Sequence, residues 1–176
     1  MSETVIAKLT LESLRDTLQT LGYRVETMTD PVANVTCLRS ATNGCGFEIR
    51  PGNPIPGGDE FVDAALVAVL QVQGDLPLGI VNQWNVSRRF ARLQLSSPFL
   101  ALTQDISVVG GVTPSHLRSQ IEIWDRLIQE LIVYLRTELS KLVSNQAAPS
   151  IEQANGHQAA NAPVAPTGAP GAEARA

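Results

Sequence analysis

Leucines at 11, 14, 18 and 21 recur at steps of three and four residues, which lines one face of an amphipathic helix. Thr10 stands where an N-cap belongs, and Gly22 can supply the left-handed position that ends the helix. The period then shortens to two. Tyr23 to Glu26 alternates apolar and polar, Asp30-Pro31 marks a turn, and Val35-Thr36-Cys37-Leu38 is a β-branched run. Asn43-Gly44 is the hairpin signal of the chain and leads into Cys45, Phe47 and Ile49 on one strand face. Together these predict an antiparallel meander of about three strands.

Residues 51 to 58, rich in proline and glycine, cannot continue a strand and are read as a loop. Phe61 to Val72 reads as an additional strand on its valines at 62, 67, 69 and 72, although its alanines and leucines also fit a buried helix. Pro77 suits the first position of a helix running to about Ser87, with Asp75 near its positive end. A strand follows with Ala91, Leu93 and Leu95 on one face and Phe90, Arg92 and Gln94 on the other. Pro98 opens another, through Leu100, Leu102, Gln104, Ile106 and Val108, which Gly110-Gly111 stops.

Thr113 and Pro114 then begin the longest helix, as N-cap and first helical residue. Leu117, Ile121, Trp124, Ile128, Leu131, Leu135 and Leu142 form its apolar stripe. A helix from Pro114 to about Val143 would be roughly 45 Å long, more than a domain of this size covers. From Asn145 onward the sequence turns to Ala, Pro, Gly, Asn and Gln without aromatics, too little apolar surface to offset ordering entropy. The division expected is an α+β domain over residues 1–143 and a disordered tail over 144–176.

Composition narrows the function classes. Of 176 residues, 44% are hydrophobic and 17% charged, which suits a single globular core. A net charge of −4 offers no global attraction to nucleic acid or anionic lipid, so neither is expected as a partner. No apolar run approaches the ~20 residues that span a bilayer, and the N-terminus lacks the features of a secretory signal. The expected compartment is the cytoplasm. Cys37 and Cys45 make neither a disulfide framework nor a zinc site, and a hairpin turn at Asn43-Gly44 places them on opposite sheet faces. No metal or cofactor is expected.

Candidate chemistry gathers in the run from Ile80 to Arg92. Helical spacing puts Asn82, Asn85 and Arg89 near one stripe and Ile80 with Trp84 near another. Amides with an arginine can hold a phosphate, a carboxylate or a peptide backbone. The same asparagines can instead bond neighbouring backbone at the helix end while Trp84 fills the core. Arg88, Arg89 and Arg92 around Phe90 form a small basic and aromatic patch, but strand alternation would split Arg89 from Arg92. His116 and His157 find no Ser, Cys or Asp constellation, and Asp59, Glu60 and Asp63 lack a calcium-loop spacing. An enzyme is not expected.

The helix Leu11 to Gly22, the block Val81-Asn82-Gln83-Trp84-Asn85 with Arg89-Phe90-Ala91, and Gly110-Gly111-Val112-Thr113 before a long helix together resemble the YbjN domain family, described as bacterial sensory transduction regulators. The resemblance covers about residues 5 to 140. It implies an α+β fold, an antiparallel sheet with helices packed on one face like the type III secretion chaperones, in the order α-β-β-β-α-β-β-α, to which the segment 61–72 would add a strand if it is not a helix. Proteins of that fold commonly form homodimers and hold extended segments of other proteins without catalysis. The loop at 51–58 and the alanine-rich tail depart from the plainest family pattern. The function expected is a chaperone-like regulatory module that binds another protein through a sheet edge or helix groove. The alternative is a sensor of a small anionic ligand at Asn82, Asn85 and Arg89, with Trp84 beside them.

Overall fold

The computed structural model describes residues 4–31 and 34–147; the expected tail from residue 148 and His157 lie outside them. The first helix, α1 (Leu11–Thr20), is opened by a reciprocal capping box: Ser13 N–H donates to Thr10 Oγ1 at 3.1 Å and Thr10 N–H to Ser13 Oγ at 3.0 Å. It closes in a Schellman turn, with Gly22 at φ 89° and the Gly22 and Tyr23 amides donating to Gln19 and Leu18. Three strands follow, β1 (Glu26–Thr29), β2 (Thr36–Thr42) and β3 (Cys45–Pro51). Asn43 and Gly44 both take positive φ between the paired Thr42 and Cys45, the geometry a two-residue hairpin demands.

The segment after the proline and glycine loop is a strand, β4 (Asp63–Gln71). The loop closes on it tightly: Asn53 donates through its backbone N–H and its Nδ2 to the Asp63 carboxylate, and a Cβ at Gly52 would overlap Asp63 Oδ1. Then come α2 (Leu78–Ser87), β5 (Arg92–Ser96), β6 (Phe99–Ser107) and α3 (Pro114–Ala147). Pro77 sits one residue before α2, with extended backbone at φ −60° and ψ 130°, and so caps the helix where the sequence reading put it inside. The six strands form one antiparallel sheet in the order β1-β2-β3-β4-β6-β5.

Alternation sorts the sheet into two faces. Leu38, Phe47, Ile49, Leu66, Leu102 and Leu93 point to the face where all three helices pack, and they join Leu14, Leu18, Trp84, Ile121 and Trp124 in one core. The opposite face carries Arg39, Glu48, Arg50, Arg92 and Asp105, and Cys37 is buried on it, away from Cys45. Both thiols are free. Along α3 burial runs through Leu117, Ile121, Trp124, Ile128 and Leu131, then fades: Val133, Leu139 and Val143 are exposed. At 1.5 Å per residue a helix of 34 residues is about 51 Å long, and beyond Leu131 it is covered only in part, through Ile132, Tyr134, Leu135 and Leu142. It also continues to Ala147, past the expected end near Val143.

Candidate interaction site

The block around Trp84 holds the fold together. Trp84 is fully buried, its ring 5.4 Å from that of Tyr134 on α3, and Tyr134 Oη donates to the Ile80 carbonyl at 2.7 Å. Arg88 lies over the Trp84 ring at 5.4 Å and reaches Glu130, with Nε 2.6 Å from Oε2. Asn85 turns its amide onto β5: Nδ2 donates to Leu93 O at 2.9 Å, and Leu93 N–H donates to Oδ1 at 2.8 Å. Leu93 faces Leu102 as a pair whose own backbone groups point outward, so this amide takes the place of a seventh strand.

The predicted stripe therefore divides. Asn82 is exposed and its side chain makes no hydrogen bond among the described residues, whereas the Asn85 amide is used on Leu93. Arg89 precedes β5 and stacks on exposed Phe90 at 5.4 Å, and Phe90 itself takes φ 74°. Arg88, Arg89 and Phe90 meet Arg126 and Glu130 around a small cavity of about 170 Å³. Arg92 instead pairs with Asp105 at 2.5 Å. The acidic cluster also splits, Asp63 holding Asn53 and Glu60 holding Lys8. No group of three or more metal-ligating side chains occurs among the described residues.

A larger opening interrupts the sheet itself. β3 and β4 pair from Pro51↔Ala64 to Glu48↔Val67, and there the ladder stops, although β3 continues to Cys45 and β4 to Gln71. The Gly52 N–H bonds Asp63 O, and the Val72 N–H bonds Pro98 O, which fixes the alternation of backbone direction. Even-numbered residues of β3 and odd-numbered residues of β4 face each other, so the next groups in line are those of Gly46 and Val69. They point into a cleft of about 440 Å³.

The cleft cuts through the sheet. Arg39, Gly46, Glu48, Val67 and Val69 border it from the helix-free face, and Phe47, Leu70, Ile132 and Arg136 from the helix side. Its volume falls within the range of ligand sites, and a Cβ on Gly46 would meet nothing within 4 Å. Glu48 is the one carboxylate in this lining, and it receives Arg50 through Nε at 2.9 Å and Nη2 at 2.7 Å. The guanidinium groups of Arg39 and Arg136 make no ion pair or hydrogen bond among the described residues. Burial pushes the Cys45 thiol up, which keeps it neutral rather than nucleophilic.

Asp125 of α3 fastens the outer arm. Its Oδ1 accepts from Thr42 Oγ1 and from Asn43 Nδ2, and its Oδ2 accepts from Gln129 Nε2 at 2.8 Å. Burial and this carboxylate together raise Tyr23. The hairpin tip is thus held to the helix while the strands behind it splay. No local motif announces such a cleft, because it arises where two pairings that are each complete, β2 with β3 and β4 with β6, diverge. The sequence trace is slight: Gly44 and Gly46 flank Cys45, and β4 outlasts β3's partner residues.

The family model described as "Putative bacterial sensory transduction regulator" covers residues 10–136. No curated protein and no solved structure matches the chain.

Proposed function

The chain belongs to the YbjN family, whose members are described as regulators of sensory transduction, and from that premise we propose a non-enzymatic cytoplasmic module that acts by binding another protein. The observation that carries this reading is the interrupted ladder between β3 and β4. Strand edges inside a protein are normally paired or covered, and an opening that presents backbone donors and acceptors beside apolar side chains suits strand addition by a partner. The outer edge of β5, by contrast, is already closed by Asn85. No helix among the described residues is long and apolar enough to cross a membrane.

The test uses Val69→Pro. The Val69 N–H faces the cleft and not β6, so proline removes an edge donor at a position where a strand tolerates it. A protein retained from native lysate by the wild-type chain should be lost by this variant at an unchanged melting temperature. Retention by both, or by neither, counts against the reading.

A homodimer fits the same module. Ile132, Leu135 and Leu142, each only partly buried against the core, and exposed Leu139 continue along α3 at three- and four-residue steps beyond Leu131, a stripe whose cover a second copy could complete. Light scattering at tens of micromolar should find a dimer that Leu139→Lys dissociates, and a monomeric wild-type particle would remove the idea.

The second reading is a small anionic ligand near Asn82 and Arg89, favoured by the convergence of Arg88, Arg89 and Arg126 on one cavity. Asn85 would contribute to it only by giving up Leu93. A metabolite that raises the melting temperature of the wild type but not of Arg89→Ala would support it. A broad screen without any shift would end it.

A further inference from the structure

We infer that the cleft between β3 and β4 selects an extended peptide segment in which apolar and acidic residues alternate. The inference rests on the protein-binding reading above and adds the chemistry of the partner. Three observations converge on it.

The first is backbone geometry. Gly46 and Val69 stand next in line after the last ladder pair, so an inserted segment meets N–H and C=O groups already oriented for strand pairing. β3 and β4 run antiparallel, and the segment is therefore antiparallel to one arm and parallel to the other. The absence of a side chain on Gly46 leaves its arm open to close approach.

The second is the division of the lining between the two faces. Side chains of an extended segment alternate, so one set faces Phe47, Leu70 and Ile132 on the helix side and the other faces the mouth at Arg39. Apolar residues suit the first set. Acidic residues suit the second.

The third is charge. Glu48 is taken by Arg50, so the mouth, where the acidic set lies, is left with the guanidinium group of Arg39, which makes no ion pair or hydrogen bond among the described residues. It can take a carboxylate bidentately, which a lysine-bearing segment cannot offer. This surplus is local, because the chain as a whole carries a net charge of −4. A long acidic protein surface is repelled elsewhere, and a short acidic segment reaching into the cleft is not.

The experiment uses the full chain and fluorescently labelled ten-residue peptides of alternating Val and Glu, with a Val and Lys peptide of equal length as the opposite charge. Anisotropy should show saturable binding of the first and none of the second. An N-methylated version of the Val and Glu peptide should lose at least tenfold in affinity, because it keeps the carboxylates and removes backbone donors. Arg39→Glu should weaken binding about tenfold or more, Arg136→Glu on the helix side should weaken it less, and Gly46→Tyr, which fills open space, should block it without unfolding the chain.

Equal binding of the two peptides, abolished in both cases by Val69→Pro, would leave strand addition standing and overturn the acidic selectivity. Binding of glutarate that displaces the peptide with undiminished affinity would also overturn the inference, by showing a carboxylate site without a strand. So would a peptide of residues 148–176 that outcompetes the Val and Glu peptide, or a dimer that Val69→Pro dissociates. Those results would assign the cleft to the chain's own end or to a second copy. No binding of either peptide overturns the inference, while the lysate comparison separately decides whether the cleft binds a protein at all.

Discussion

Asn85 offers the sharpest measure of how this fold closes an edge. Its truncation in Asn85→Ala removes two hydrogen bonds, at 2.9 and 2.8 Å, both made to the backbone of one residue, Leu93. Each is worth about 1 kcal/mol net, and leaving the same groups buried and unsatisfied would cost about 1–3 kcal/mol apiece. Asn85 is exposed, so water can reach the vacated positions, and the loss should stay near the lower value, about 2 kcal/mol in all. For a domain of this size that is roughly 4–8 °C in Tm. Asn82, one turn earlier and without a hydrogen-bonding partner for its side chain among the described residues, provides the control: Asn82→Ala should change stability by less than about 0.5 kcal/mol. Urea denaturation should show the midpoint of Asn85→Ala falling at constant m, and hydrogen exchange should speed selectively at the Leu93 amide. An Asn85→Ala variant within about 0.5 kcal/mol of wild type, or with Leu93 still protected, would refute the edge-closing role.

Asp125→Ala removes two side-chain hydrogen bonds that tie the β2–β3 tip to α3, and a third to Gln129 within α3, and should cost about 1.5–3 kcal/mol. Faster amide exchange at Gly44 and Cys45 is the local readout, and unchanged rates there would contradict it. Tyr134→Phe deletes the 2.7 Å bond to the Ile80 carbonyl and should cost about 1 kcal/mol by the same denaturation assay, with a null effect telling against that contact. Burial raises the thiols of both Cys37 and Cys45 above their ordinary value of 9.0, which means the native state holds these protons more tightly than the unfolded chain. Their contribution is fully present below pH ~9 and is lost as pH rises through the folded values, so the urea midpoint should fall above that pH. The Cys37→Ser, Cys45→Ser double variant should flatten the fall in that window, before the tyrosines titrate, and a profile identical to wild type would exclude the thiols as its cause.

The legibility of this chain followed how local each cause is. The N-cap at Thr10, the left-handed Gly22, the Asn43-Gly44 hairpin and the start of α3 at Thr113 and Pro114 depend on a few adjacent residues, and all four could be read directly. Phe61 to Val72 was ambiguous because alanine and leucine suit either state in a buried segment; pairing with β3 on one side and β6 on the other decides it as a strand. Pro77 shifted by one position because a proline suits a cap as well as a first turn. Helical spacing holds for Asn82 and Asn85, both inside α2, but not for Arg89, and spacing says nothing about what lies across from each residue. β5 lies across from Asn85, while Asn82 faces solvent and Arg89 has already left the helix.

What the sequence determined by itself is the set of elements and the apolar side of each, since periods of 3.6 and 2 are properties of the chain alone. Tertiary structure decided where the ladders end, that the Asn85 amide closes β5, and that Arg39 of β2 and Arg136 of α3 border one opening. The physical reason is that pairing one strand with its neighbour satisfies its backbone locally. Whether two such pairs then meet or splay depends on the twist of the whole sheet and the helix that packs beneath it.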